Sequence, residues 1–208
     1  MSLTLEKQIA FDNIAKFHHL SAHEKIALEN YVESLLYENT QYSFIGKSTV
    51  PTIWHRHIFD CAQLITHIDK NSKCADLGSG AGLPGVIVSI LGVKEIHLIE
   101  KSFRKADFLR KIKNLSKNRI IVHQVEIAEL KNIDFDCIMS RALAPLDRLL
   151  DYCHKFLNST GYCLFLKGKN LSLEIKKAEE KFSFSYELFP SLSADESNII
   201  KIKNIQLK

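Results

Sequence analysis

Ten consecutive residues, Asp76-Leu-Gly-Ser-Gly-Ala-Gly-Leu-Pro-Gly85, carry the clearest chemical signal in the chain. Gly78, Gly80 and Gly82 allow a tight turn that brings backbone close to a ligand, and Pro84 suits the first turn of a helix. Glu100 ends the next apolar run, where an acid in such folds meets ribose hydroxyls. A second group carries charge. Arg141 follows the apolar run Phe135–Met139, and a fixed five-donor cation there can hold a phosphate or carboxylate. Between Lys101 and Arg119 stand eight cations, Arg104, Lys105, Arg110 and Lys111 among them, against the single acid Asp107. A helix so charged suits a polyanion such as nucleic acid, or else is a solvated face that keeps the protein soluble. His55, His57 and Asp60 lie close together, but no further ligands cluster with them, so a metal site is not expected.

These residues need elements to position them. From Lys73 onward, short apolar runs alternate with amphipathic stretches. Strands are predicted at Cys74–Leu77, Ile96–Ile99, Ile120–Val125, Phe135–Met139 and Tyr162–Lys167. Helices are predicted at Pro84–Leu91, Phe103–Ser116, Pro145–Leu157 and Leu171–Lys181. Alternation of this kind implies right-handed crossovers and a largely parallel sheet. Two further runs, Phe184–Phe189 and Ile199–Leu207, have no helix between them and read as a closing antiparallel hairpin. The expected architecture is therefore α/β: a seven-stranded, Rossmann-like sheet of the class I methyltransferase type. Ahead of it, residues 1–72 read as a helical extension packed on a core of residues 73–208. The capping-box pattern Ser21-Ala-His-Glu24 starts one helix, residues 39–51 form a loop, and helix resumes over Ile53–Ile68.

Two cofactor classes fit the glycine loop. Gly80-Ala-Gly82-Leu-Pro-Gly85 matches the G-x-G-x-x-G of nicotinamide dinucleotide sites, a weak signal taken alone. Three features favour S-adenosylmethionine. Asp76 ends the strand just before the loop, where methyltransferases use an acid around the methionine end. The glycines run Gly78-x-Gly80-x-Gly82, and the sheet closes with a hairpin rather than a second βαβαβ half.

Composition agrees with a globular enzyme. The 208 residues suffice for one substantial core, with 25% charged and 46% hydrophobic side chains and a net charge of +4. No apolar run reaches the length of a membrane span, and no signal-peptide order appears, so a cytoplasmic protein without membrane contact is expected. Five scattered cysteines without a Cys-x-x-Cys pair argue against a disulfide framework and against zinc.

Four segments narrow the reading. Arg56-His-Ile-Phe-Asp-Cys61, Asp76 to Gly85, Arg104-Lys-Ala-Asp-Phe-Leu109 and Ser140-Arg-Ala-Leu-Ala-Pro-Leu146 together resemble the small-subunit (16S) ribosomal RNA guanine-N7 methyltransferases. That family was once called glucose-inhibited division protein B. The resemblance implies methylation of a guanine N7 in the 530 loop of 16S ribosomal RNA or the small-subunit particle, by a monomer. It implies cofactor contacts at Gly78, Leu83, Glu100, Lys101, Ser102, Ile127, Ala128 and Arg141, with His57, Asp60 and Arg141 on the substrate side. The chain departs from the family pattern at Ile127-Ala128, where an acid is usual, at Ser197-Asn198, at Cys61 and around Tyr42-Ser-Phe-Ile45. A methyltransferase of the same fold acting on a small molecule or protein, and a cofactor-binding protein without catalysis, are the competing readings.

Overall fold

The computed structural model describes residues 2–208. The chain opens with α1 (Leu3–Ala15) and α2 (Ala22–Gln41). Ser21 caps α2 and Glu24 returns the bond to the Ser21 backbone, the reciprocal pair that the sequence predicts. Residues 53–68 are helical as expected but not one α-helix. A π turn over Trp54–Phe59 passes into α3 (Asp60–Ala62) and then a 3-10 winding over Gln63–His67. Trp54, Ile58, Cys61, Ala62 and Ile65 are all buried, so the apolar face holds although the pitch changes.

The sheet comprises β1 (Lys73–Leu77), β2 (Glu95–Ile99), β3 (Arg119–His123), β4 (Phe135–Arg141), β5 (Leu157–Lys167), β6 (Phe182–Pro190) and β7 (Asn198–Leu207). Between them run α4 (Gly85–Ile90), α5 (Phe103–Ile112), α6 (Leu146–Phe156) and α7 (Leu171–Glu179). The strand order is β3-β2-β1-β4-β5-β7-β6. The first five strands are mutually parallel, and β7 slots between β5 and β6 as the one reversed strand. The sequence places β3 as far as Val125, but its register with β2 ends at Ile99 opposite His123, and beyond that no backbone partner remains.

Alternate residues of each strand feed opposite faces. Cys74, Leu98, Met139 and Leu164 pack with α4, α5 and the N-terminal helices in one apolar cluster. Ala75, Ile99, Ile138 and Phe165 pack with α6 and α7 in another. Strands covered on both faces must be apolar on both, which is why they read as short continuous runs. No helix among the described residues is long and apolar enough to cross a membrane.

Candidate active site

The carboxyl ends of the parallel strands deliver the predicted chemistry to one edge. After β1 the chain turns through Gly78, Gly80 and Gly82, whose φ values of 68°, 56° and 94° lie in the left-handed region. Gly78 and Ser79 donate their N–H groups to the Ile99 carbonyl, which ties the loop to β2. Glu100 holds it from the side: one carboxylate oxygen accepts the Gly80 N–H at 2.9 Å and the other the Ser102 N–H at 2.7 Å. From α2, Tyr31 donates its hydroxyl to the Ala81 carbonyl at 2.9 Å. A cleft of about 470 Å³ opens over the loop, bordered by Gly78, Gly80, Glu100, Lys101, Ile127 and Leu143. A Cβ on Gly80 would meet no atom nearer than the Gly78 carbonyl oxygen at 3.8 Å, so this glycine keeps the floor of the cleft clear.

Asp76 lies behind the loop, fully buried. One oxygen accepts the Gly85 N–H at 2.9 Å and the other has no hydrogen-bond partner. Burial pushes its carboxyl up to about 7, the Glu100 charge reinforcing the rise and the Gly85 N–H opposing it. A raised folded value means that the native state binds the extra proton between the ordinary 3.8 and about 7, so this group's stabilisation is lost as pH rises through that window. Asp76→Asn removes the effect. In cofactor-free protein, the melting temperature of the variant relative to wild type should rise by about 5 °C between pH 5 and pH 7, measured by scanning calorimetry.

The other predicted cofactor residues divide. Lys101 and Ile127 border the cleft, while Gly82 and Leu83 are buried beneath it and Ser102 sits at the start of α5. Ala128 is exposed on the short turn Ile127–Glu129 and does not border the cleft. Glu126 does border it and pairs with Lys101 at 3.1 Å, a contact that the sequence reading did not find.

A larger cleft of about 960 Å³ adjoins the first and shares with it one wall, Ala142 to Ala144. Arg141, the last residue of β4, borders the larger cleft and is clamped on three sides. Its Nε donates to Asp60 at 2.9 Å, one terminal nitrogen to Nδ1 of His57 at 2.9 Å, and the other to the Arg56 carbonyl at 2.7 Å. Of five guanidinium N–H groups, three are used in the clamp and two remain for a ligand. His57 accepts at Nδ1, so the neutral ring carries its proton on Nε2 and donates to Thr49 Oγ1 at 2.8 Å. Burial lowers the imidazole to about 4, assisted by the Arg141 and Arg56 charges, so it is neutral at physiological pH. His57 does not border either cleft: its place is behind Arg141.

Asp60 is itself fixed by groups far along the chain. Ser193 donates its hydroxyl to Oδ1, and Gln63 donates to the same oxygen at 3.2 Å. Gln63 also bonds Ser191 and accepts the Leu192 N–H, while His55 bonds the Ser193 carbonyl. The β6–β7 loop is thereby laced to the helical segment. The sequence gives no local sign of this, because Thr49 and the serines are common loop residues and the contacts of the serines span up to 138 residues. Ser197, one of the departures, borders the larger cleft.

The cations of the 101–119 stretch are less uniform than their count implies. Lys111 pairs with Asp107 at 2.9 Å and Glu38 at 3.5 Å, Arg119 pairs with Glu95, and Arg110 donates to Gln124. Arg104 and Lys105 make no ion pair among the described residues. Lys105 borders the smaller cleft. No group of three or more potential metal-ligating side chains occurs among the described residues.

A seven-stranded sheet with one reversed strand, a glycine loop after β1 and an acid after β2 define a class I methyltransferase. The rRNA small subunit methyltransferase G family model matches residues 24–200. The chain belongs to that family, whose members depend on S-adenosylmethionine. The ribosomal RNA small subunit methyltransferase G of Orientia tsutsugamushi is 40% identical over 176 residues, covering 84% of this chain and 88% of that protein. The protein of the same name from Rhodospirillum rubrum is 35% identical over 179 residues, covering 86% and 89%. Among solved structures, a ribosomal protein L11 methylase from Lactobacillus delbrueckii subsp. bulgaricus shares the fold. Its TM-score is 0.60 at 20% identity, over 73% of this chain and 80% of that one. The residues around the glycine loop suit the cofactor: a clear floor at Gly80 and an acid at Glu100, both bordering the cleft.

Proposed function

We propose that this protein transfers a methyl group to N7 of a guanine in the 530 loop of 16S ribosomal RNA, acting in the cytoplasm on the RNA or the small-subunit particle. The observation that carries the reading is the pair of clefts meeting at the single wall Ala142–Ala144, with the glycine loop in one and Arg141 in the other. Gly78, Gly80, Glu100, Lys101 and Ile127 would hold the cofactor, which supplies an electrophilic methyl group when bound.

The lining of the larger cleft bears on which nucleophile it serves. Its two acids, Asp60 and Glu174, are both committed, to Arg141 and to Lys167. Guanine N7 has a lone pair and no proton to lose, so the reaction needs alignment and exclusion of water more than a base. Arg141, aimed by Asp60, His57 and the Arg56 carbonyl, would anchor a phosphate and set that alignment. With Asp60 paired to Arg141, the RNA phosphates would balance the positive charge arising on the methylated base. In an A-form duplex the N7 edge faces a groove too deep and narrow for side chains, so the target guanine must lie in a loop or be turned out of its stack.

Incubation with labelled S-adenosylmethionine and small subunits from cells lacking this protein tests the reading. Label should map to N7 of one guanine; label on protein, on a small molecule or nowhere would refute it. Salt gives a second measure. Lys105 borders the smaller cleft and Arg104 follows Phe103 beside it in the chain, and neither makes an ion pair, so the Arg104→Ala, Lys105→Ala double variant should reduce the salt slope of RNA binding by about 1.4. Lys111→Ala, whose parent is already paired, should change the slope little, and cofactor affinity should stay constant in both.

A further inference from the structure

The first turn of α5 exposes an aromatic ring that the cofactor site does not use. Phe103 is 68% exposed, and it lies in the chain between Lys101 and Lys105, both of which border the smaller cleft. The next residue, Arg104, lays its guanidinium over the ring of Tyr42, 4.4 Å from the centroid. Tyr42, itself 40% exposed, stacks on Phe44, which meets the buried Phe108 edge to face. A ladder of flat groups therefore rises from the core to the surface and ends in a cation, beside an uncovered phenyl ring.

Burying Phe103 against this chain's own apolar surface would be favourable, as for any large apolar side chain, yet the fold leaves it in solvent. The charged residues within two positions of it in the chain, Lys101, Arg104 and Lys105, are all cations, and Asp107, one helical turn on, is held by Lys111. An acidic protein surface would satisfy the charges but gives an exposed phenyl face no specific partner. A nucleobase satisfies both: its flat face stacks on phenylalanine and on the arginine plane, while its phosphate meets the lysines.

We propose that Phe103, with the Arg104–Tyr42 stack that follows it in the chain, is a platform on which an unpaired base of the substrate RNA stacks, on the side of the smaller cleft that Lys101 and Lys105 border. This rests on the RNA reading above and adds a specific contact to it. The platform acts in binding: it holds the strand that the Arg141 side then aligns.

The test uses the whole protein and small ribosomal subunits, with Phe103→Leu, Phe103→Ala and Phe103→Trp. Leucine keeps apolar bulk and removes the flat face. KM for the subunits should rise about tenfold in Phe103→Leu and Phe103→Ala and return to wild type or below in Phe103→Trp. Turnover at saturation and cofactor affinity should change less than about twofold. Wild-type KM in Phe103→Leu would overturn the stacking proposal while leaving the RNA reading intact. Sedimentation provides the other arm: a dimer that dissociates on Phe103→Ala would assign the ring to a second copy and also overturn it. If the wild-type protein transfers no label to RNA, the underlying reading fails, and the platform with it.

Discussion

Arg141→Lys is expected to fold normally and to methylate RNA about 100-fold more slowly at saturating RNA and cofactor. The charge is retained, so the loss isolates geometry. Arginine here reaches Asp60, His57 Nδ1 and the Arg56 carbonyl at once, and a single ammonium cannot reproduce three bonds in one plane. The freed His57 nitrogen loses its donor, a cost on the order of 1 kcal/mol that the fold tolerates. Circular dichroism and a thermal melt establish folding, and single-turnover methyl transfer gives the rate. Turnover near wild type would place the alignment of substrate elsewhere and reduce Arg141 to an ion-pair residue.

The second large effect falls on the cofactor. In Gly80→Val the new side chain enters the floor of the smaller cleft at a φ of 56°, a conformation that branched side chains strongly disfavour. Backbone strain of about 1–2 kcal/mol is the cost that the left-handed conformation imposes, and the added Cβ itself meets nothing nearer than 3.8 Å. Calorimetric affinity for S-adenosylmethionine should fall by about 100-fold or more, through obstruction and through disturbance of the Gly80 N–H bond to Glu100. Undiminished affinity in the variant, or tight NAD binding by the wild type, would reject the assignment of the loop.

What was legible in the sequence is what is local. The Ser21–Glu24 cap, the glycine loop and the order of strands and helices each depend on residues within a turn or a short run of one another. Arg141 was legible because an apolar parallel strand carries the next residues to the edge where ligands bind. The clamp around it was not. Its parts come from Arg56, His57 and Asp60, held in turn by Thr49 and Ser193, and only the folded chain brings them together. His57 illustrates the difference: the family resemblance implies a substrate contact, whereas burial and two hydrogen bonds place it behind the arginine. The basic stretch divides in the same way. Its eight cations are plain in the sequence, but Glu38, Glu95 and Glu126, which neutralise some of them, come from other elements.

The lacing of the β6–β7 loop to Asp60 also sets a schedule for biosynthesis. Ser193 follows Asp60 by 133 residues, and β7, which must slide between β5 and β6, begins only at Asn198. A nascent chain can build the glycine loop and its β1–β2 support early, once residue 100 has left the exit tunnel. The brace that Ser193 places on Asp60 behind the arginine clamp cannot form until nearly a hundred residues more have been added. The turn of the glycine loop therefore forms before the arginine clamp is braced, and full bracing of Arg141 waits for the β6–β7 loop.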